Sequence, residues 1–253
     1  MNPTDFLREL FNAAVAAAQP DQVIGGYLPA PPEGRTIVVG AGKAAASMAV
    51  ALEHCWPGEL EGLVVTRYGH GLPTRQIEVV EAAHPVPDAS GLAAAKRILE
   101  LARSAGPKDL VICLLSGGAS ALLTLPADGI SLGDKQEVNE ALLRSGAPIE
   151  AMNLVRKRLS GIKGGRLGAA IAPAEALTLL ISDVPGDSPA VIGSGPTVVD
   201  TQATAQAALA VVEQFGLRLP ANVLGVLEHN AGPTGLPNNQ RVALIATAQK
   251  SLD

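Results

Sequence analysis

The stretch VVGAGKAAASM (residues 38–48) puts one ammonium group, that of Lys43, directly behind an apolar run and two glycines. A strand that turns through glycines into a helix offers backbone N–H groups and the positive end of the helix dipole to whatever sits at the turn, and the natural occupant is an anion. Gly40, Gly42 and Ala45 fit the dinucleotide spacing GxGxxA, in which glycines permit a tight turn and a close backbone approach. That pattern also wants an acid at the end of the following strand to hold a ribose, and GLVVTR (residues 62–67) ends in Thr66 and Arg67 instead. The other phosphate loop, GxxxxGK[ST], fails as well, since Ile37 stands where its first glycine belongs and Ala44 where its metal-binding hydroxyl belongs. Lys43, expected in the first turn of the helix, belongs to neither pattern. The dipole disfavours a cation there unless an anion joins it, which points to neutralisation of phosphate charge.

Three more stretches repeat the theme. LLSGGASALL (residues 114–123) runs from an apolar strand into Ser116, Gly117, Gly118 and Ser120, a turn able to curl around an oxyanion with hydroxyl donors beside it; its ordinary alternative is a tight turn with a serine cap. NLVRKRLSGIKGGRLG (residues 153–168) carries Arg156, Lys157, Arg158, Lys163 and Arg166 without an acid. Such a run is commonly a solvated helix face, but Gly161, Gly164 and Gly165 interrupt the helix beside Lys163 and suggest backbone shaped to a ligand. In LISDVPGDSPAVIGSGPTVVD (residues 180–200), Asp183 closes an apolar run and Asp187 follows four residues on. Two carboxylates on one bent loop suit a hydrated magnesium ion, although both are also turn formers beside Pro185 and Gly186. Gly193, Ser194 and Gly195 offer a further anion nest.

The elements that must position these groups are legible as an alternation. The runs TIVVG, GLVVT, IEVVE, DLVICLL, ALTLLIS and RVALIA are apolar at nearly every position, and between several of them lie helical patterns such as GLAAAKRILELARSA, SLGDKQEVNEALLRSG and TQATAQAALAVVEQFG. Strands buried on both faces and joined through helices make a doubly wound α/β fold: a mostly parallel, Rossmann-like sheet in three α/β/α layers. Loops that follow strands then open together at the carboxyl edge of the sheet, where ligands of this architecture bind. An opening helix from Thr4, capped by that residue, is expected to bury Phe6, Leu7, Leu10, Phe11, Ala14 and Val15 on one face. After the last strand, TAQKSLD starts a helix that stops within two turns, so the chain reads as the front part of a longer protein.

Composition removes whole classes of partner. A net charge of -5 and 2% aromatic residues argue against nucleic acid or an anionic membrane as the main partner. Cys55 and Cys113 are too few for a disulfide framework, and no stretch reads as a signal peptide or membrane span, which fits a reducing cytoplasm. A homo-oligomer is compatible with everything in the chain.

Taken together, VVGAGKAAASM, RYGHG, HPVPDASG, LLSGGASALL, NLVRKRLSGIKGGRL and SDVPGDSPAVIGSGPTVVD resemble the N-terminal domain of the type-2 glycerate kinases, whose members are also labelled hydroxypyruvate reductases. The resemblance runs from about Phe6 to the end. It implies that residues 1–253 form one Rossmann-like domain whose smaller C-terminal partner domain, with an expected arginine, is missing. It implies ATP-dependent phosphorylation of glycerate at O2, with ATP and magnesium (Mg2+) as requirements. Lys43 then resembles the catalytic lysine, and Gly40, Gly42, Ser116, Gly117, Gly118 and Ser120 lie beside nucleotide phosphates. By the same resemblance Asn153, Lys157 and Lys163 bind substrate, the two lysines holding the glycerate carboxylate or further phosphate oxygens. Asp183 and Asp187 anchor magnesium or take the hydroxyl proton, while His70, His84 and Asp88 line or brace the cleft outside the catalytic set. The alternative is an NAD(P)H-dependent hydroxypyruvate reductase, which the missing acid after the second strand disfavours.

Overall fold

All six apolar runs form strands in the computed structural model, which describes residues 2–252. They are β1 (Thr36–Ala41), β2 (Glu61–Arg67), β3 (Ile77–Ala82), β4 (Leu110–Leu115), β5 (Glu175–Ile181) and β6 (Gln240–Ala246). Every neighbouring pair is parallel, in the order β3-β2-β1-β4-β5-β6. Successive residues of a strand point to opposite faces, and β1 feeds two cores accordingly. Ile37, Val39 and Ala41 join one apolar cluster, and Val38 joins the other. Both faces are covered, which is why alternation with polar residues is missing from the central strands.

Ten α-helices surround the sheet among the described residues: α1 (Pro3–Ala17), α2 (Pro20–Val23), α3 (Ala45–Cys55), α4 (Ala89–Arg103), α5 (Ala119–Leu122), α6 (Leu132–Arg144), α7 (Ile149–Arg158), α8 (Arg166–Ile171), α9 (Ala205–Gln214) and α10 (Ala221–His229). Buried residues of α4, α5 and α8 cover one face, while those of α3 cover the other. Helices α6, α7, α9 and α10 do something the sequence did not announce: they bury Val138, Leu142, Val155, Val211, Val223 and Leu227 against one another in a third cluster. That cluster forms a helical wall above the sheet edge.

Both chain ends depart from expectation. Asn2, not Thr4, caps α1, its side chain accepting from the Thr4 N–H at 3.1 Å with Pro3 next in line. The apolar face of α1 is not buried, for Phe6, Leu7, Leu10 and Phe11 are all at least half exposed. Residues 248–252 form turns and no helix.

One buried acid pins the sheet edge to its helix. Glu53, at the end of α3, accepts from the N–H groups of Arg75, Gln76 and Ile77 at 2.7, 2.8 and 2.9 Å, which fixes where β3 begins. Burial alone would raise its pKa, but the three N–H bonds and Arg75 more than offset that and leave it below the usual glutamate value. A depressed carboxylate stabilises the fold above its unfolded pKa, and the contribution is lost as pH falls through the folded one. Glu53→Ala should therefore cost about 2 kcal/mol in denaturant unfolding near neutral pH, and the gap to wild type should narrow in acid; an unchanged gap at low pH would show the carboxylate charge to be irrelevant.

Candidate functional site

The sheet order places its switch point between β1 and β4, where the chain leaves for opposite sides and the loops part. The two glycine turns sit there, and they are bonded to each other. Lys43 N–H donates to the Gly117 carbonyl at 2.8 Å, Ala44 N–H donates to the Ser116 hydroxyl at 3.0 Å, and Ser116 N–H donates to the Ala41 carbonyl at 3.1 Å. Gly42 N–H is taken by Val65 at 3.0 Å. The amides expected to face an anion from the first loop thus serve the protein itself. What this loop presents is the Lys43 side chain, which stands before the helix cap Ala44 and not within the first turn of α3.

Two glycines make the close approach possible. At Gly42 the backbone has φ 138°, and a Cβ there would run into the Ser116 hydroxyl. At Gly117 a Cβ would occupy the space of the Asp183 carboxylate. The result is that Asp183, at the end of β5, reaches Lys43: Nζ and Oδ2 are 3.1 Å apart, each side chain about half exposed at 44% and 51%. The same turn draws in His84, whose Nε2 lies 3.1 Å from where a Gly118 Cβ would stand, with Lys43 Cγ 3.3 Å from that point. Burial lowers the His84 pKa, Lys43 and Arg67 lower it further, and Asp183 partly opposes them. The charged form of the imidazole is therefore disfavoured at this place.

Beside this constellation opens a cleft of about 330 Å³, bounded by His84, Gly118, Ser120, Ser194 and Lys163 and walled by α6. Ser120 and Ser194 share a hydrogen bond of 2.9 Å at its edge. Asp187 is half-buried with φ 51°, its N–H donating to Val184 at 3.1 Å. Among the described residues no group of three or more His, Cys, Asp or Glu could hold a metal; magnesium, however, is commonly held by one or two carboxylates plus substrate phosphates. Asp183 is half exposed and accessible to a cation, which would have to displace its contact with Lys43.

The basic run divides. Lys163 is buried in the floor of the cleft, Nζ donating to the Leu123 carbonyl. Lys157 is also buried but faces a separate cavity of about 320 Å³, paired with Asp200. Asn153 is half-buried on α7 and lines neither cavity. Arg158 donates to the carbonyls of Leu227 and Glu228, and Arg166 to those of Lys157, Lys163 and Asn230. These two arginines satisfy orphan carbonyls near helix ends and are not a solvated face, and both line the cavity that Lys157 faces. Asp88 caps α4 through the Gly91 N–H at 2.9 Å and takes the Tyr68 hydroxyl at 2.8 Å, a brace for the loop that carries His84.

Sequence reasoning set His84 aside because a lone histidine is more often structural. The signal it missed is tertiary: HPVPD follows β3, three strands from β4, and only the sheet order brings it to Gly118. Thr124 and Lys135 in the cleft wall were unmarked, and Arg156 was named only as one member of the basic run.

Residues 6–228 match a family model described as a domain of unknown function, DUF4147. A protein from Agrobacterium vitis named "Putative hydroxypyruvate reductase" is 48% identical over 98% of this chain and 58% of its own length. D-glycerate 2-kinase of Thermotoga maritima is 40% identical over 97% of this chain and 58% of its own. The crystal structure of a glycerate kinase from Thermotoga maritima superposes with a TM-score of 0.89, covering 96% of this chain and 58% of that one. The chain thus spans a little under three fifths of the length of each of these relatives.

The two contacts at the switch point differ in worth. Ser116 is buried, so Ser116→Ala should strand the Ala44 N–H and cost about 1–2 kcal/mol. Lys43→Met should cost well under about 1 kcal/mol, because the pair with Asp183 is half in water. Urea midpoints compare them directly, and the reverse ranking would mean that the ion pair holds the loops together.

Proposed function

The chain belongs to the DUF4147 family, and on that footing we propose that it is the nucleotide-binding and acceptor-binding part of an ATP-dependent glycerate 2-kinase. The observation that carries this reading is the convergence of Lys43, Asp183 and His84 on the Gly117–Gly118 turn at the switch point of the sheet. Phosphoryl transfer asks a protein mainly for positioning and charge neutralisation, and a half-exposed ammonium beside a carboxylate and an imidazole supplies both without a covalent nucleophile.

In this reading the 2-hydroxyl oxygen of glycerate forms a bond to the γ-phosphorus while the bond from that phosphorus to the β–γ bridging oxygen breaks and ADP leaves. Lys43 lies against the transferring group and offsets its charge. His84 accepts the hydroxyl proton. Ser116 holds the Lys43 loop in register, and Ser120 and Ser194 donate hydroxyls to substrate oxygens at the edge of the cleft. Magnesium, which neutralises nucleotide phosphate charge when bound, would be held by Asp183 and Asp187. The reductase alternative lacks its ribose acid: at the end of β2, Thr66 is buried with its hydroxyl 3.4 Å from the Lys43 carbonyl, and Arg67 follows.

The test is glycerate-dependent ADP release from ATP and magnesium, measured on the polypeptide that joins this chain to the remaining length its relatives possess. Lys43→Ala should lower kcat at least about 100-fold with little change in melting temperature. Hydroxypyruvate-dependent loss of NADH absorbance without ADP release would overturn the kinase reading. Because the His84 pKa lies below the ordinary 6.5, activity should fall as pH drops through that lowered value, where the ring becomes protonated. His84→Asn should lower kcat and flatten that acid limb; an acid limb that survives the substitution would assign the proton to another group.

A further inference from the structure

The end of the cleft away from Lys43 has an unbalanced chemistry. Three basic side chains line it, each from a different stretch of chain: Lys135 on α6, Arg156 on α7, and Lys163 in the glycine-rich turn that follows. Their hydrogen-bond acceptors are neutral. Lys135 donates to the Leu159 carbonyl at 3.3 Å, Arg156 to the Asn139 side-chain oxygen at 2.5 Å, and Lys163 to the Leu123 carbonyl. The one acid in the lining, Glu140, is at the exposed rim and pairs with Arg144 at 3.5 Å. Lys157, by contrast, one residue along α7, has Asp200 as its counter-ion.

Two further donors at this place have no partner. Thr124 is fully buried and its hydroxyl makes no hydrogen bond, and the buried Nε of Arg156 makes none either. Both residues line the same cavity. A buried hydroxyl and a buried guanidinium N–H left unpaired are costly, and native interiors rarely tolerate them without a reason. Burial and repulsion from neighbouring cations also hold the Lys135 amine down to about 7 and that of Lys163 well below its ordinary value. A seated anion would restore their charge.

We propose that Thr124, Lys135, Arg156 and Lys163 form a carboxylate-binding subsite that anchors the acid end of a small hydroxy acid. A carboxylate accepts about four hydrogen bonds through its two oxygens, and the subsite offers a hydroxyl, a guanidinium N–H and two ammonium groups. The proposal rests on the kinase reading for the identity of the acid, and adds which end of it faces which wall. The carboxylate lies in the floor, the carbon chain runs along the apolar side of α6, and the hydroxyl is turned toward Ser120, His84 and Lys43.

Calorimetric titration of the 253-residue chain with sodium D-glycerate and with its neutral amide, glyceramide, tests this, with a non-hydrolysable ATP analogue plus magnesium in parallel. Glycerate should bind, and glyceramide at least about tenfold more weakly. Arg156→Gln should weaken glycerate by about tenfold or more and leave the ATP analogue unaffected. Since Arg156 is a partly buried residue whose loss could disturb folding, Thr124→Val serves as the second variant. It removes a hydroxyl that has no partner, so its melting temperature should equal or exceed that of wild type while glycerate binding weakens about tenfold. Equal affinity for glycerate and glyceramide, or weakened binding of the ATP analogue with glycerate untouched in both variants, would overturn the carboxylate assignment and leave the kinase reading standing. If ADP release fails with glycerate but another hydroxy acid binds with the same dependence on Thr124 and Arg156, the subsite is upheld and the kinase reading falls.

Discussion

Everything at the candidate site depends on the bridge between the turns that follow β1 and β4. Ser116 accepts the Ala44 N–H while the Gly117 carbonyl accepts that of Lys43, so two strand ends that diverge at the switch point are tied by their own backbone. Parallel neighbours leave such a gap because their connections run to opposite sides of the sheet. Closing it with amides already satisfied means that the lysine side chain can project without its backbone having to wait for a ligand. The glycines are then needed for proximity: Gly42 yields to the Ser116 hydroxyl, and Gly117 yields to Asp183.

Charge is distributed by how well each cation is compensated. Arg158 and Arg166 are spent on backbone carbonyls, and Lys157 on Asp200. Removing water from a cation costs several kcal/mol unless a partner replaces it, so those three are explained by the fold. Lys43 is half in water with a carboxylate beside it, a poised arrangement that costs little. Lys135, Arg156 and Lys163 also have neutral acceptors alone, but they line one cavity together with a Thr124 hydroxyl and an Arg156 Nε that have no partner. The cleft is polarised as a consequence, with a half-exposed ammonium near a carboxylate and an imidazole at one end and basic groups without a counter-ion at the other.

The helical wall that supplies this second end has its own core. Helices α6 and α7 meet α9 and α10 through aliphatic residues at helical spacing, and that contact presents Lys135 and Arg156 to the same cavity. The wall therefore holds together groups that would repel one another in an unstructured loop.

The strand pattern by itself determined the doubly wound sheet, because a strand buried on both faces must be apolar at nearly every position and only parallel strands joined through helices demand that. It also determined that Lys43, Ser116 to Ser120 and Asp183 would meet at one edge, since each follows a strand of that sheet. Tertiary structure alone decided the rest. Lys157 and Lys163, six residues apart, face different cavities, as charge spacing could not reveal once glycines broke the helix between them. His84 joins the site because β3 lies two strands from β1, and Thr124, Lys135 and Arg156 come together because separate helices share an apolar core. Local periodicity reports which face of an element is buried; which elements then become neighbours is settled by long-range contacts that no single stretch of sequence contains.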